Sequence, residues 1–129
     1  MRYLGIDYGT KRVGLSCSDE DGLMAYPLCV LENSADLLKE IVKICADKKI
    51  GLIVMGESKN FKMEDNAVMS DIRNFGLNLQ KSVSIPIEYY PEFMTSEQAE
   101  RIQGKNKMLD ASAAAIILQG YLDRSHLKS

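Results

Sequence analysis

Short apolar segments separated by turn residues occupy the first quarter of the chain. Segments 2–8, 13–18 and 26–31 are rich in strand-forming residues, and Gly9-Thr10-Lys11 and Asp19 to Gly22 lie between them. Runs of this length, bounded by glycine and polar residues, are typical of strands joined by tight turns. The pattern therefore predicts a three-stranded antiparallel meander.

Hydrophobic positions take helical spacing after this meander. Asn33-Ser34 supplies a predicted N-cap, and the apolar stripe that follows predicts an amphipathic helix over about 35–48. The same spacing predicts a second helix over about 67–81. A capping box predicts a short helix over about 96–103, and the nearly all-apolar segment 109–122 predicts a buried helix.

Two further strands alternate with these helices. Leu52 to Met55 form a continuous apolar run, which is typical of a central strand covered on both faces. A polar loop is predicted over 57–66, and Pro86 to Tyr90 predict a fifth strand that Pro91 ends. The order predicts an α/β fold: a mixed five-stranded sheet, made of the antiparallel meander plus two further strands, with helices on both faces.

Length and composition indicate one domain over residues 1–129, with a short loose tail from about 124. The chain is 46% hydrophobic and 26% charged, which suffices for one core. The sequence shows neither a signal-peptide pattern nor an apolar run of roughly 18 residues, so we expect a cytoplasmic protein without a membrane partner. Cys17, Cys29 and Cys45 have the spacing of neither a zinc site nor a disulfide framework, and are predicted to be small core residues.

Charge is distributed unevenly along the chain. The formal net charge of −2 argues against a protein that coats nucleic acid by bulk electrostatics. Lys11 and Arg12 nevertheless follow the first strand, and segment 101–107 carries three positive charges and no negative one. Such runs are either phosphate-binding or simply a solvated surface.

Three acidic residues stand where an apolar or neutral residue is expected. Asp7 lies inside the first strand, Glu92 just past the fifth, and Asp110 at the start of the last helix. If they converge at one sheet edge, their repulsion requires a cation, and oxygen ligands favour Mg²⁺ or Mn²⁺. One or two ions, about 3.5–4 Å apart when paired, can activate water against a phosphodiester. Alternatively, Asp110 is a helix N-cap and Glu92 a surface residue.

Three stretches carry a family resemblance: GIDYGTKRVGLSCSD, EFMTSEQAER and LDASAAAIILQGYLD. They resemble the YqgF-type family, described as Holliday-junction-resolvase-like or pre-16S ribosomal RNA nucleases, along essentially the whole chain. The resemblance implies a ribonuclease H-like fold and a divalent-metal nuclease with Asp7, Glu92 and Asp110 as catalytic metal ligands. It also implies a nucleic-acid partner, either structured RNA or branched DNA, and a monomer or homodimer.

Phosphate contacts are expected from five cations of this sequence: Lys11, Arg12, Lys59, Lys105 and Lys107. The first two match the family's Lys-Arg pair. Electrostatic contacts of this kind position a strand without reading its sequence.

This sequence departs from the family pattern at two places. The usual Asp-Glu-Arg-Leu-Thr-Thr reads Pro91 to Ser96 here, which loses one acid and one arginine. After the fourth strand, Gly56-Glu57-Ser58-Lys59 replaces a Gly-Leu-Pro-Leu-type loop. We therefore expect Glu57 as an additional acid at the same sheet edge, and Lys59 or Lys62 as a replacement for the missing positive charge.

Two other classes of function remain open at this point. A GIDxGT-like stretch also occurs in phosphotransferases of the actin and sugar-kinase type, which clamp ATP between two such domains; ATP binding would support that class. A non-catalytic nucleic-acid-binding or ribosome-assembly module with the same fold would bind without metal-dependent cleavage. Within the nuclease interpretation, ribosomal RNA processing and four-way junction cleavage are not distinguished.

Overall fold

Five strands and three helices make up the part of the chain that the structure, a computed structural model, describes: residues 1–59, 69–93 and 107–127. The side chains of residues 58–59, 92–93, 107–110 and 126–127 lie outside this description. In chain order the elements are β1 (Arg2–Tyr8), β2 (Arg12–Ser18), β3 (Ala25–Glu32), α1 (Leu37–Asp47), β4 (Ile50–Lys59), α2 (Met69–Ser82), β5 (Ile87–Phe93) and α3 (Lys107–Leu127).

The strands form one mixed sheet in the order β3-β2-β1-β4-β5. Strands β1, β2 and β3 pair antiparallel, whereas β4 pairs parallel with both β1 and β5. The predicted meander and the mixed five-stranded sheet are confirmed. Because β1, β4 and β5 run in the same direction, their carboxyl ends meet at one edge of the sheet.

Helices cover both faces of this sheet, as predicted. On one face, Leu4 and Ile6 of β1 are buried against Ile41 of α1 and Ile72 of α2. On the other face, Val54 of β4 packs with three side chains of α3, namely Ile117, Leu118 and Leu122. Side chains that alternate along each strand therefore belong either to the α1/α2 side or to the α3 side.

Helix α3 approaches the sheet closely at Gly5. A Cβ at Gly5 would lie 2.3 Å from Ser16 Oγ and 2.9 Å from Leu118 Cβ. The buried Ser16 hydroxyl donates a hydrogen bond of 2.7 Å to the carbonyl oxygen of Ala114. This bond satisfies a polar group that would otherwise be costly to bury, and it fixes the position of α3 on the sheet.

Helix α1 begins later than the sequence predicts, and Asn33-Ser34 is not its N-cap. The N-cap is Asp36, which makes no side-chain capping bond. Ser34 instead uses its hydroxyl to accept a hydrogen bond from the Asp36 amide at 3.3 Å. The prediction was wrong because the capping preference of a residue is local, whereas the start of this helix follows from the burial of Leu37 and Ile41.

Both parallel partner strands extend beyond their predicted ends. Strand β4 continues through residues 57–59, which the sequence predicts as loop, and β5 continues through Pro91. Proline lacks an N–H donor but is tolerated on an edge strand, and β5 is one. Glu92 therefore lies inside β5 rather than past its end.

The last helix is longer than predicted at both ends. It runs from Lys107 to Leu127, so residues 124–127 are helical. The predicted short helix over 96–103 lies outside the described residues. No helix in the described parts of the chain combines the length and apolar character that a membrane crossing needs.

All three cysteines are free thiols, as their spacing predicts. Cys17 and Cys45 are buried and Cys29 is half-buried. Burial raises the pKa of Cys45 to about 11 and raises that of Cys29 as well. Their protonated form is therefore the one that the fold stabilises, as expected for small core residues.

Replacing Gly5 by alanine tests the contact that seats α3. The added methyl group has no space beside Ser16 Oγ and the Ala114 carbonyl oxygen, which lies 3.0 Å from the Cβ position. We expect Gly5→Ala to lower stability by about 1–3 kcal/mol and the Tm by roughly 4–12 °C. Thermal unfolding followed by circular dichroism measures both.

Gly51→Ala is the matched control in β4. Its Cβ would meet only the flexible, 60% exposed Met1 side chain and, at 3.7 Å, the Arg2 carbonyl oxygen. Its Tm should stay close to that of the wild type. Equal losses in both variants would contradict a specific role for the Gly5 contact.

Candidate active site

Asp7 lies near the carboxyl end of β1, on the α3 side of the sheet. The alternate residue Gly5 contacts α3, and Tyr3 packs against Tyr121 of α3 with ring centroids 6.0 Å apart. Asp7 continues this series and is half-buried. The carboxylate thus interrupts an apolar strand one residue before that strand ends at the sheet edge.

Glycine occupies the neighbouring position on both strands beside Asp7. Gly14 of β2 is the paired residue, and the pairing of Ile6 with Met55 places Gly56 of β4 on the other side. Across these three strands, Asp7 alone carries a side chain at this level. Ile117 of α3 packs over Gly56, where its Cδ1 lies 2.6 Å from a hypothetical Cβ, so α3 reaches the sheet beside Asp7.

The position of Glu92 lies at the same edge. It pairs with Ser58, and it falls in the alternation series of Glu88 and Tyr90. Both of those residues contact α3, since Glu88 bonds Tyr121 and Tyr90 packs on Gly120. Position 92 therefore belongs to the α3 side, with only β4, and roughly 10 Å, between its strand and β1.

Asp110 is brought toward Asp7 by the direction of α3. Ala114 packs at Gly5 and Tyr121 at Tyr3, so α3 runs antiparallel to β1. Asp110 lies one turn before Ala114, about 6 Å along the helix, and Asp7 lies two residues beyond Gly5, about 7 Å along the strand. Asp110 is the fourth residue of α3, so the N-cap alternative is wrong.

Glu57 is at the same sheet edge, but on the opposite face. It continues the series of Ile53 and Met55, which pack on the α1/α2 side. There it faces Tyr89, whose pKa is raised by burial and further by the charge of Glu57. Glu57 therefore does not join Asp7, contrary to the expectation of an additional acid.

Lys11 is exposed in the turn between β1 and β2, and Arg12 is exposed at the start of β2. Asn33 holds this turn from the end of β3. Its side-chain amide donates to the Gly9 carbonyl oxygen at 2.8 Å, and its backbone N–H donates to the Lys11 carbonyl oxygen at 2.9 Å. Sequence reasoning missed this role, because only the β2–β3 register places Asn33 beside the turn.

The other predicted cations are placed only in part. Lys59 is the last residue of β4, at this sheet edge, and Lys107 is the first residue of α3. Their side chains are outside the description, and Lys62 and Lys105 lie outside the described residues.

The donor set at this edge suits a hard divalent cation. All three proposed ligands are carboxylates, which Mg²⁺ and Mn²⁺ prefer. Among the described residues no group of three His, Cys, Asp or Glu could hold a metal ion. The side chains of Glu92 and Asp110 lie outside that description.

Curated relatives match the chain over nearly its full length. A protein of Maridesulfovibrio salexigens named "Putative pre-16S rRNA nuclease" is 36% identical, covering 97% of this chain and 100% of its own. A protein of Streptococcus mutans with the same name is 34% identical, covering 96% of this chain and 99% of its own.

Solved structures show the same fold at low sequence identity. Thermus thermophilus RuvC has a TM-score of 0.60 at 15% identity, covering 98% of this chain and 96% of that one. Its complex with Holliday junction substrate gives the same TM-score at 14% identity, with the same coverage. The fowlpox virus resolvase in its Holliday junction complex has a TM-score of 0.51 at 8% identity, covering 97% and 99%.

Residues 1–124 match the family described as "RuvX: Holliday junction resolvase". The mixed sheet with helices on both faces is accordingly the ribonuclease H-like fold of RuvC-type resolvases. The chain belongs to the RuvX, or YqgF-type, family of resolvase-like nucleases.

Proposed function

We propose that this protein is a divalent-metal-dependent nuclease whose metal is held by Asp7, Glu92 and Asp110. The observation that carries the proposal is the placement of these three positions on the α3 side of one sheet edge. Three carboxylates at one edge repel one another unless a cation lies among them. One or two Mg²⁺ or Mn²⁺ ions fit this donor set.

Each element contributes to holding the metal. Strand β1 presents Asp7 between two glycines, strand β5 supplies Glu92, and the first turn of α3 supplies Asp110. A cation held by these residues would supply activation of a water molecule and stabilisation of charge on the leaving oxygen of a phosphodiester. The protein's own contribution is to hold the three carboxylates on rigid elements and at fixed spacing.

Cations at the same edge bind the flanking phosphates. Lys11 and Arg12 follow Asp7 within five residues and are exposed. Lys59, Lys105 and Lys107 are proposed to extend this contact along the strand. Such contacts fix the register of the substrate without reading its sequence.

The substrate that we propose is structured RNA, as in the processing of the 5′ end of pre-16S ribosomal RNA. The names of the relatives that are 34–36% identical over nearly the whole chain favour this substrate. A second candidate is the four-way DNA junction, which the family description and the junction-bound RuvC structure favour. Direct comparison of the two substrates decides between them.

Removing the Asp7 charge tests the metal site. Asp7→Asn should lower Mg²⁺- or Mn²⁺-dependent cleavage by roughly 100-fold or more, because several kcal/mol of charge stabilisation depend on the bound metal. Cleavage is measured on a panel of structured RNA, single strands and four-way junctions, with and without EDTA.

Asp71→Asn is the matched control, since Asp71 is an exposed carboxylate on α2. It should cleave like the wild type. Retained cleavage by purified Asp7→Asn protein would refute the assignment. Binding by the wild type without any metal-dependent cleavage would favour the non-catalytic module.

Neutralising Lys11 and Arg12 together tests the phosphate contacts. The variant Lys11→Gln/Arg12→Gln should raise KM with little change in kcat, because the contacts act on bound and reacting substrate alike. The slope of log affinity against log salt should become less steep by about one unit per lost contact. Lys39→Gln/Lys43→Gln, on exposed positions of α1, controls for net charge. An equal effect of both pairs would contradict a specific site.

Asn33→Ala tests whether the hydrogen bonds of Asn33 to the β1–β2 turn position Lys11 and Arg12. Loss of the 2.8 Å hydrogen bond to the Gly9 carbonyl oxygen should lower the free energy of unfolding by about 1 kcal/mol and raise KM roughly fivefold. The effect should vanish in the Lys11→Gln/Arg12→Gln background, as a double-mutant cycle would show. An undiminished effect in that background would assign Asn33 a purely structural role.

A further inference from the structure

A polar cavity lies between β5 and the last turns of α3, away from the three carboxylates. Its volume is about 260 Å³, and it is lined by Glu88, Tyr121, Arg124 and Ser125. The lining combines a carboxylate, a phenol, a guanidinium group and a hydroxyl. The proposed nuclease chemistry uses none of these groups.

Arg124, which lines this cavity, also lies over an aromatic ring of β5. Its guanidinium carbon lies 6.0 Å from the ring centroid of Tyr90. Tyr90 is itself seated against α3, since a Cβ at Gly120 would lie 2.8 Å from its hydroxyl oxygen. Because a guanidinium group is itself planar, the exposed Arg124 offers a flat, positively charged surface beside this ring.

Glu88 is oriented by the phenol beside it. The Tyr121 hydroxyl donates a hydrogen bond to Glu88 Oε2. Burial raises the pKa of Tyr121, and the bond to Glu88 raises it further, so the phenol stays protonated as the donor. A carboxylate has about four acceptor sites, so Glu88 retains acceptor capacity after this bond.

The cavity lies along the same strand as the proposed active site. Tyr90 precedes Glu92 by two residues and Glu88 precedes it by four, and all three positions belong to one alternation series. The spacing is about 7 Å per two residues. A nucleic-acid strand bound at Glu92 can therefore follow β5 to this cavity within one or two nucleotides.

We propose that this cavity is a nucleobase subsite that takes an unpaired guanine of the substrate strand. The base stacks on the guanidinium plane of Arg124, a platform that proteins use for unstacked RNA bases. Guanine alone among the four bases presents two adjacent N–H donors, N1–H and N2–H, on its Watson–Crick edge, and the Glu88 carboxylate accepts both. This inference rests on the proposed nuclease function and adds a preference near the cleavage position.

The test measures binding without cleavage. Wild-type protein in EDTA is titrated with fluorescein-labelled oligouridine and with the same oligomer carrying one guanosine, and binding is followed by fluorescence anisotropy at high salt. High salt suppresses the sequence-independent phosphate attraction. The wild type should bind the guanosine oligomer about tenfold more tightly, as expected for stacking plus hydrogen bonding of one base.

Arg124 variants separate stacking from charge. Arg124→Ala and Arg124→Lys should both lose about tenfold in affinity for the guanosine oligomer, because lysine keeps the charge but lacks the flat plane. Lys43→Ala, an exposed cation on α1, is the control and should bind like the wild type. Wild-type affinity of Arg124→Lys would overturn the stacking platform, as would an equal loss in Lys43→Ala.

The variant Glu88→Gln distinguishes two roles of Glu88, because each role predicts a different change in oligonucleotide affinity. If Glu88 only repels phosphate, its neutralisation tightens binding of both oligomers. If it accepts hydrogen bonds from guanine, Glu88→Gln loses the guanosine preference while oligouridine binds at least as well as before. Tightening on both oligomers would overturn the inference. Thermal unfolding of each variant should match the wild type, because Glu88 and Arg124 are exposed.

The proposed function and the subsite fail in different ways. Metal-dependent cleavage that persists in Asp7→Asn refutes the active site, whereas equal binding of both oligomers by the wild type refutes the subsite alone. If the wild type binds neither oligomer, the subsite is refuted and the cleavage assays alone decide the function.

Discussion

Helix α3 reaches the sheet because Gly5 carries no side chain, and the Ser16 hydroxyl then bonds the Ala114 carbonyl oxygen across the gap. This contact sets both the height of the helix above the sheet and its position along β1. A shift of α3 by one turn would move Asp110 about 5 Å relative to Asp7. The relative positions of the proposed metal ligands and the shape of the cavity beside β5 therefore depend on this buried contact between α3 and the sheet.

The parallel part of the sheet provides the second constraint. Because β1, β4 and β5 run in one direction, residues far apart in sequence arrive at one edge with defined faces. Asp7 and position 92 share the α3 side, whereas Glu57 faces Tyr89 on the other. The face of the sheet to which each acidic residue belongs therefore decides which of them can share a cation. A position near the end of a strand is not sufficient.

The sequence was sufficient for the fold because its signals are local. Short runs of strand-forming residues and helical hydrophobic spacing predict every described element, and the position of an acid inside the first strand already identifies Asp7 as a candidate site residue. The predictions that were wrong concern features that depend on tertiary context. Pro91 is tolerated because β5 is an edge strand, and the face of Glu57 could not be known while residues 57–59 were predicted as loop. Asn33 has a strong capping preference, yet its bonds go to a turn that only strand register brings near.

Ser16 and Ala114 are separated by 98 positions in the chain, so the contact that positions α3 on the sheet also imposes an order on folding. During synthesis Asp7 emerges before α3, and this contact can form only after both segments have been made. On the proposed assignment, the nascent protein carries an incomplete metal site until α3 has been synthesised. A nuclease directed at ribosomal RNA would then become competent only after α3 has emerged from the ribosome that makes it.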